Sequence, residues 1–102
     1  MTNKEDCSTL TSVVIPDGVE EISAGQFENC KALTSVTIPS SVKKIGDRAF
    51  QGCESLRSVV IFDDVERIGD RAFAKCESLA SVVIPDGIEY IADDAFEGTS
   101  MA

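Results

Sequence analysis

Residues 30–52 read Cys30-Lys31-Ala32-Leu33-Thr34-Ser35-Val36-Thr37-Ile38-Pro39-Ser40-Ser41-Val42-Lys43-Lys44-Ile45-Gly46-Asp47-Arg48-Ala49-Phe50-Gln51-Gly52, and residues 53–75 answer them position for position. Cys53 stands where Cys30 stood, Leu56 for Leu33, Val59 for Val36, Ile61 for Ile38, Val65 for Val42, Ile68 for Ile45 and Phe73 for Phe50. The same 23-residue spacing runs outward in both directions without insertion or deletion, through Cys7, Leu10, Val13, Ile15, Val19, Ile22 and Phe27 on one side and Cys76, Leu79, Val82, Ile84, Ile88, Ile91 and Phe96 on the other. The chain therefore divides into units 7–29, 30–52, 53–75 and 76–98, and a further unit begins and fails over 99–102, where Thr99 replaces Cys and Ala102 replaces Leu.

Self-similarity at a fixed period is the mark of a solenoid. One such unit cannot bury its own apolar side chains, but stacked units cover one another and share a continuous core. A unit supplies about six buried apolar side chains, each contributing roughly 1.5–3 kcal/mol of transfer free energy against an ordering cost of similar size. Stability must then come from neighbours, and the fold expected is a single domain over residues 1–102.

Within a unit, Leu33-x-x-Val36-x-Ile38 has the period-two alternation of a short strand with one face inward, and Pro39 ends it. Val42-x-x-Ile45-Gly46 follows a brief turn. Asp47 is then expected to cap a single helical turn that buries Phe50, forming an outer wall. The expected class is a mainly β repeat solenoid with short helical turns and one parallel sheet.

The pattern C-x-x-L-x-x-V-x-I-P-x-x-V-x-x-I-G-x-x-A-F, carried by residues 7–98, resembles the BspA-like, or treponemal-type, leucine-rich repeat. The resemblance implies a right-handed coil with a concave parallel sheet. It also implies an extracellular or cell-surface setting and adhesion to proteins or cells as the usual role. The chain departs from the pattern at Phe62, which stands for the strand-ending Pro, at Ser23 and Ala92, which stand for the Gly after the outer Ile, and in having few units.

On the expected strands, Ser12 and Val14, Ser35 and Thr37, Ser58 and Val60, and Ser81 and Val83 lie between the buried columns and point outward on the concave face. Strands repeat roughly every 4.8 Å, so Val14, Thr37, Val60 and Val83 form an apolar ridge open to water. β-branched residues suit strands whatever their function, but a contiguous exposed ridge also invites a partner. These eight residues are the candidate partner-binding site. Their lack of charge favours a protein, or another copy of the chain, over a small charged ligand, which needs convergent polar groups in a pocket. Asp17, Asp63, Asp64 and Asp86 in the turns, with Glu54 and Glu77 near Lys31, give the sheet an acidic rim.

A net charge of −9, from 18 acidic and 9 basic residues, disfavours nucleic acid and anionic membrane surfaces. The first residues show no basic segment followed by an apolar run, so no signal peptide is read there, and no stretch approaches the roughly 20 apolar residues that span a bilayer. With no His, no nucleophile motif and no residue standing outside the repeat, no catalytic site is expected and no cofactor is implied. The four cysteines are 23 apart, without a C-x-x-C pair, which argues against zinc. Stacked coils would bring neighbouring Cα atoms within disulfide range, yet four free, buried thiols packing as small apolar groups are the expectation. Asp47, Asp70 and Asp93 recur at coil spacing and could line up oxygens for a hard cation, although capping is their expected use. Solenoid ends expose apolar surface, so a homo-oligomer built through uncapped ends, as a dimer or a filament, is the alternative to a simple binding module.

Overall fold

Alternating Val and Ile at period two become strands only where a second strand lies alongside, and here each strand finds its partner one repeat away. The computed structural model describes residues 9–62 and 64–100. Its elements in chain order are β1 (Ser12–Val14), β2 (Glu21–Ile22), β3 (Ser35–Ile38), β4 (Lys44–Ile45), β5 (Ser58–Ile61), β6 (Arg67–Ile68), β7 (Ser81–Val83) and β8 (Tyr90–Ile91). They form two parallel sheets, ordered β1-β3-β5-β7 and β2-β4-β6-β8. Cα partners are always 23 residues apart, as in Ser35↔Ser58, Val36↔Val59, Thr37↔Val60 and Ile38↔Ile61. Cys7, Asp63 and Ala102 lie outside the described residues.

Between the sheets the repeat columns close into rows. Leu33, Leu56 and Leu79 are fully buried, as are Ile38, Val42, Ile45, Val65 and Ile68. The phenylalanine column forms a ladder: Phe27 on Phe50, Phe50 on Phe73 and Phe73 on Phe96, with ring centroids 5.2, 5.1 and 5.4 Å apart and planes within 9° of parallel. Rows are complete only where a coil has neighbours on both sides. Leu10 and Ile84, in the first and last coils, are 41% and 36% exposed.

The outer wall differs from expectation in two ways. The smaller sheet was not foreseen, because two-residue strands are too short to show a period. The helical turn after Asp47 does not form, and among the described residues no α-helix occurs. Instead, amides alternate between local and neighbouring partners. Arg48, Phe50 and Gly52 donate to the next coil's Asp70, Ala72 and Ala74 carbonyls at 2.8, 2.7 and 2.9 Å, whereas Ala49, Gln51 and Cys53 donate three residues back. Such alternation needs left-handed residues, which a helix forbids. They occur at Gly25, Arg48 and Arg71 (φ 66, 57 and 56°) and at Asn29, Gly52, Lys75 and Gly98 (φ 63, 79, 60 and 77°), two columns at coil spacing.

The cysteine column is also corrected. Cys53 and Cys76 are free and buried, as expected. Cys30 is disulfide-bonded, which the stacking distance of successive coils permits. The Cys53 thiol donates to the Phe27 carbonyl at 3.3 Å and the Cys76 thiol to the Phe50 carbonyl at 3.1 Å. The hydrogen bond with Cys53, reinforced by burial, pushes the Cys76 thiol up.

Candidate binding face

In β3, alternation of the backbone turns Val36 and Ile38 inward and Ser35 and Thr37 outward. The other strands of the larger sheet follow the same pattern. Ser12, Val14, Ser81 and Val83 are exposed, and Ser58 and Val60 are half-buried between their neighbours. Register puts Ser12, Ser35, Ser58 and Ser81 in one row and Val14, Thr37, Val60 and Val83 in the next. The eight residues singled out in the sequence thus lie together on one outward face. Val14 at 83% exposure and Val83 at 57% are the most open apolar side chains on it.

The rim is partly paired. Lys31 and Glu54, one coil apart, form a 3.0 Å ion pair, and Asp17, Asp64 and Asp86 are exposed. The Asp47 column does not cap helices. The Asp47 carboxylate accepts the Asp70 amide at 2.9 Å, and Asp94 accepts the Arg71 amide at 3.2 Å while pairing with its guanidinium at 3.4 Å. These carboxylates cap amides of an adjacent coil. Asp47→Ala therefore costs about 1 kcal/mol, the range of a lost capping bond, whereas Asp17→Ala in the exposed turn stays within about 0.5 kcal/mol; urea denaturation of both variants measures the difference. Among the described residues no group of three or more His, Cys, Asp or Glu is placed to hold a metal ion.

A second surface feature escaped the sequence reading. The outward residues of the smaller sheet, Glu21, Lys44, Arg67 and Tyr90, form a column in Cα register. Beside it Lys44, Arg67 and Tyr90 share a shallow cleft of about 230 Å³ with Ile45, Asp47, Gly69 and Asp70. The signal available was only that the two cations stand 23 apart with Tyr90 next in line. Without knowing that residues 44 and 67 sit on strands, nothing aims them the same way.

The profile of the BspA type leucine-rich repeat region, six copies long, matches residues 4–102. The chain belongs to this family. As a BspA-type repeat protein it superposes on a leucine-rich cell surface protein of Faecalibacterium prausnitzii with TM-score 0.81 and 40% identity, covering 86% of this chain and 23% of that one. A leucine-rich repeat protein of Bacteroides ovatus matches with TM-score 0.83 and 36% identity over 91% of this chain and 24% of that one. The leucine-rich repeat protein of T. pallidum gives TM-score 0.56 and 31% identity over 85% of this chain and 54% of that one. No curated protein matches the chain. The BspA-type array thus spans about a quarter of the first two structures it resembles. Among its described residues no helix is long and apolar enough to cross a membrane.

Proposed function

We propose that this BspA-type array is a protein-interaction module that binds a protein partner through the outward face of its larger sheet, at Ser12, Val14, Ser35, Thr37, Ser58, Val60, Ser81 and Val83. The observation that carries the reading is the exposed apolar row, with Val14 83% and Val83 57% open to solvent on a sheet whose other face packs on the core. Water-exposed valines gain roughly 25 cal/mol for each Å² that a partner covers, and the neighbouring serine row supplies hydroxyls for hydrogen bonds. A cell-surface setting is part of the proposal, drawn from the Faecalibacterium prausnitzii protein.

The test is a binding screen against extracellular and surface proteins using wild type and a Val14→Lys/Val83→Lys variant. A true partner loses at least tenfold in affinity, about 1.4 kcal/mol. Because both side chains point to solvent, melting temperature stays unchanged. A partner bound equally well by the variant would remove this face from the interaction.

A second reading, self-association, is favoured by the same exposed valine row, which the matching face of a second copy of the chain would cover. Sedimentation velocity over a hundredfold concentration range distinguishes the two: a constant monomer supports the partner module, and growing species support self-association.

A further inference from the structure

The cleft on the smaller sheet lies outside the face assigned above, and it gathers two cations, two carboxylates and an aromatic ring. Lys44 and Arg67 are direct Cα partners, and like charges opposed across strands cost stability. A chain with 18 acidic residues could have alternated signs along this column, as it does at Glu21 and Lys44, which pair loosely at 3.9 Å. Arg67 has no ion-pair partner among the described residues. Its guanidinium instead rests 5.0 Å over the Tyr90 ring, which holds the planar fork in place and leaves its N–H donors to be used. A guanidinium held over a ring beside a second cation, with its N–H donors unused, points to a binding role.

The rest of the lining narrows the ligand. Asp47 and Asp70 share the cleft with the two cations. One Asp47 oxygen accepts the Asp70 amide, and the Asp70 carboxylate has no protein donor among the described residues. A simple anion would meet two carboxylates, and a simple cation would meet an ammonium and a guanidinium. A ring bearing one carboxylate and several hydroxyls satisfies both sets. The volume of about 230 Å³ is below the roughly 300–1,000 Å³ of drug-sized pockets and suits a single sugar ring. We propose that the cleft binds a uronic acid unit, its carboxylate on Arg67 and Lys44 and its hydroxyls donating to Asp47 and Asp70. The chain's net negative charge does not defeat this at physiological salt, because distant charges are screened beyond about 8 Å.

Tyr90 is the only tyrosine in a chain without tryptophan, so intrinsic tyrosine fluorescence reads the cleft directly. D-glucuronate titrated in 0.15 M salt gives a saturable change with a dissociation constant on the order of 1 mM, as expected for a small open site. Arg67→Gln and Lys44→Gln each weaken it at least tenfold without unfolding the protein at the temperature of the titration. Arg57→Gln, which removes the same charge elsewhere, leaves it unaltered. Glucose and acetate, each carrying half of the recognised chemistry, bind at least tenfold more weakly than glucuronate. The proposal is overturned by no saturable signal up to tens of millimolar, by acetate or glucose binding as well as glucuronate, or by full binding to Arg67→Gln. None of these outcomes depends on the larger sheet's face.

Discussion

Phe50→Ala lowers the unfolding free energy by about 3–5 kcal/mol, the cost of truncating a fully packed aromatic side chain. Phe50 is completely buried and sits in the middle of the ladder, 5.2 Å from Phe27 and 5.1 Å from Phe73. Removing it leaves a ring-sized void in a coil tied to both its neighbours, by the Phe50 amide to Ala72 and the Phe27 amide to Ala49. The coils cannot close over the gap without breaking those bonds, so the cavity persists. Domains are stable by only about 5–15 kcal/mol, and for a chain of this size 1 kcal/mol moves the melting temperature by about 4–8 °C. A shift above 12 °C is therefore expected by calorimetry. Phe96→Ala, at the end of the ladder and only partly buried, loses distinctly less. Equal losses for the two would show that ladder position carries no weight.

The same ladder shows which parts of the molecule could be read from sequence. Phe27, Phe50, Phe73 and Phe96 recur at one spacing because each must lie on the last. That physical demand is repeated identically in every coil and is visible as a column. The larger sheet and its outward rows were legible for the same reason, with Ser35 and Thr37 placed outside by nothing more than alternation. Features resting on contacts within one coil, or on unlike residues doing one job, were not. Arg48 and Arg71 occupy the left-handed position that Gly25 fills in the preceding coil. An arginine carries no mark of that conformation, and Asp-Arg-Ala-Phe resembles a helix start. Tyr90 shares a column with Glu21, Lys44 and Arg67, so its place beside the two cations followed no pattern of residue type. The Cys30 disulfide breaks the symmetry of the cysteine column, which a strict repeat cannot announce.

Gly46→Ala destabilises the array by about 1–3 kcal/mol, the usual cost of forcing an extra carbon into a packed site, although Gly→Ala usually stabilises by restricting the unfolded chain. The reason lies in the adjoining coil. A Cβ at residue 46 would come within 2.7 Å of both the Ala24 nitrogen and the Ile22 carbonyl oxygen. Those atoms are backbone and cannot rotate away. The Gly46 amide itself donates to Ile22 at 2.8 Å, and Gly69 does the same to Ile45 at 2.8 Å. At Ala92, the one member of this column that has both a Cβ and a preceding coil beneath it, the corresponding bond to Ile68 is longer, 3.1 Å. The array therefore accommodates a methyl here by parting its coils. Between β2 and β4 that parting also strains the Lys43 amide bond to Glu20 at 2.7 Å. Gly87→Ala is the counter-case. A Cβ there meets nothing within 4 Å, and its backbone is outside the left-handed region, so stability rises by about 0.4–1 kcal/mol. Urea midpoints of the two variants move in opposite directions. If both were to rise, close backbone approach between coils would not be what keeps glycine after the outer isoleucine, and Ser23 and Ala92 would need no separate explanation.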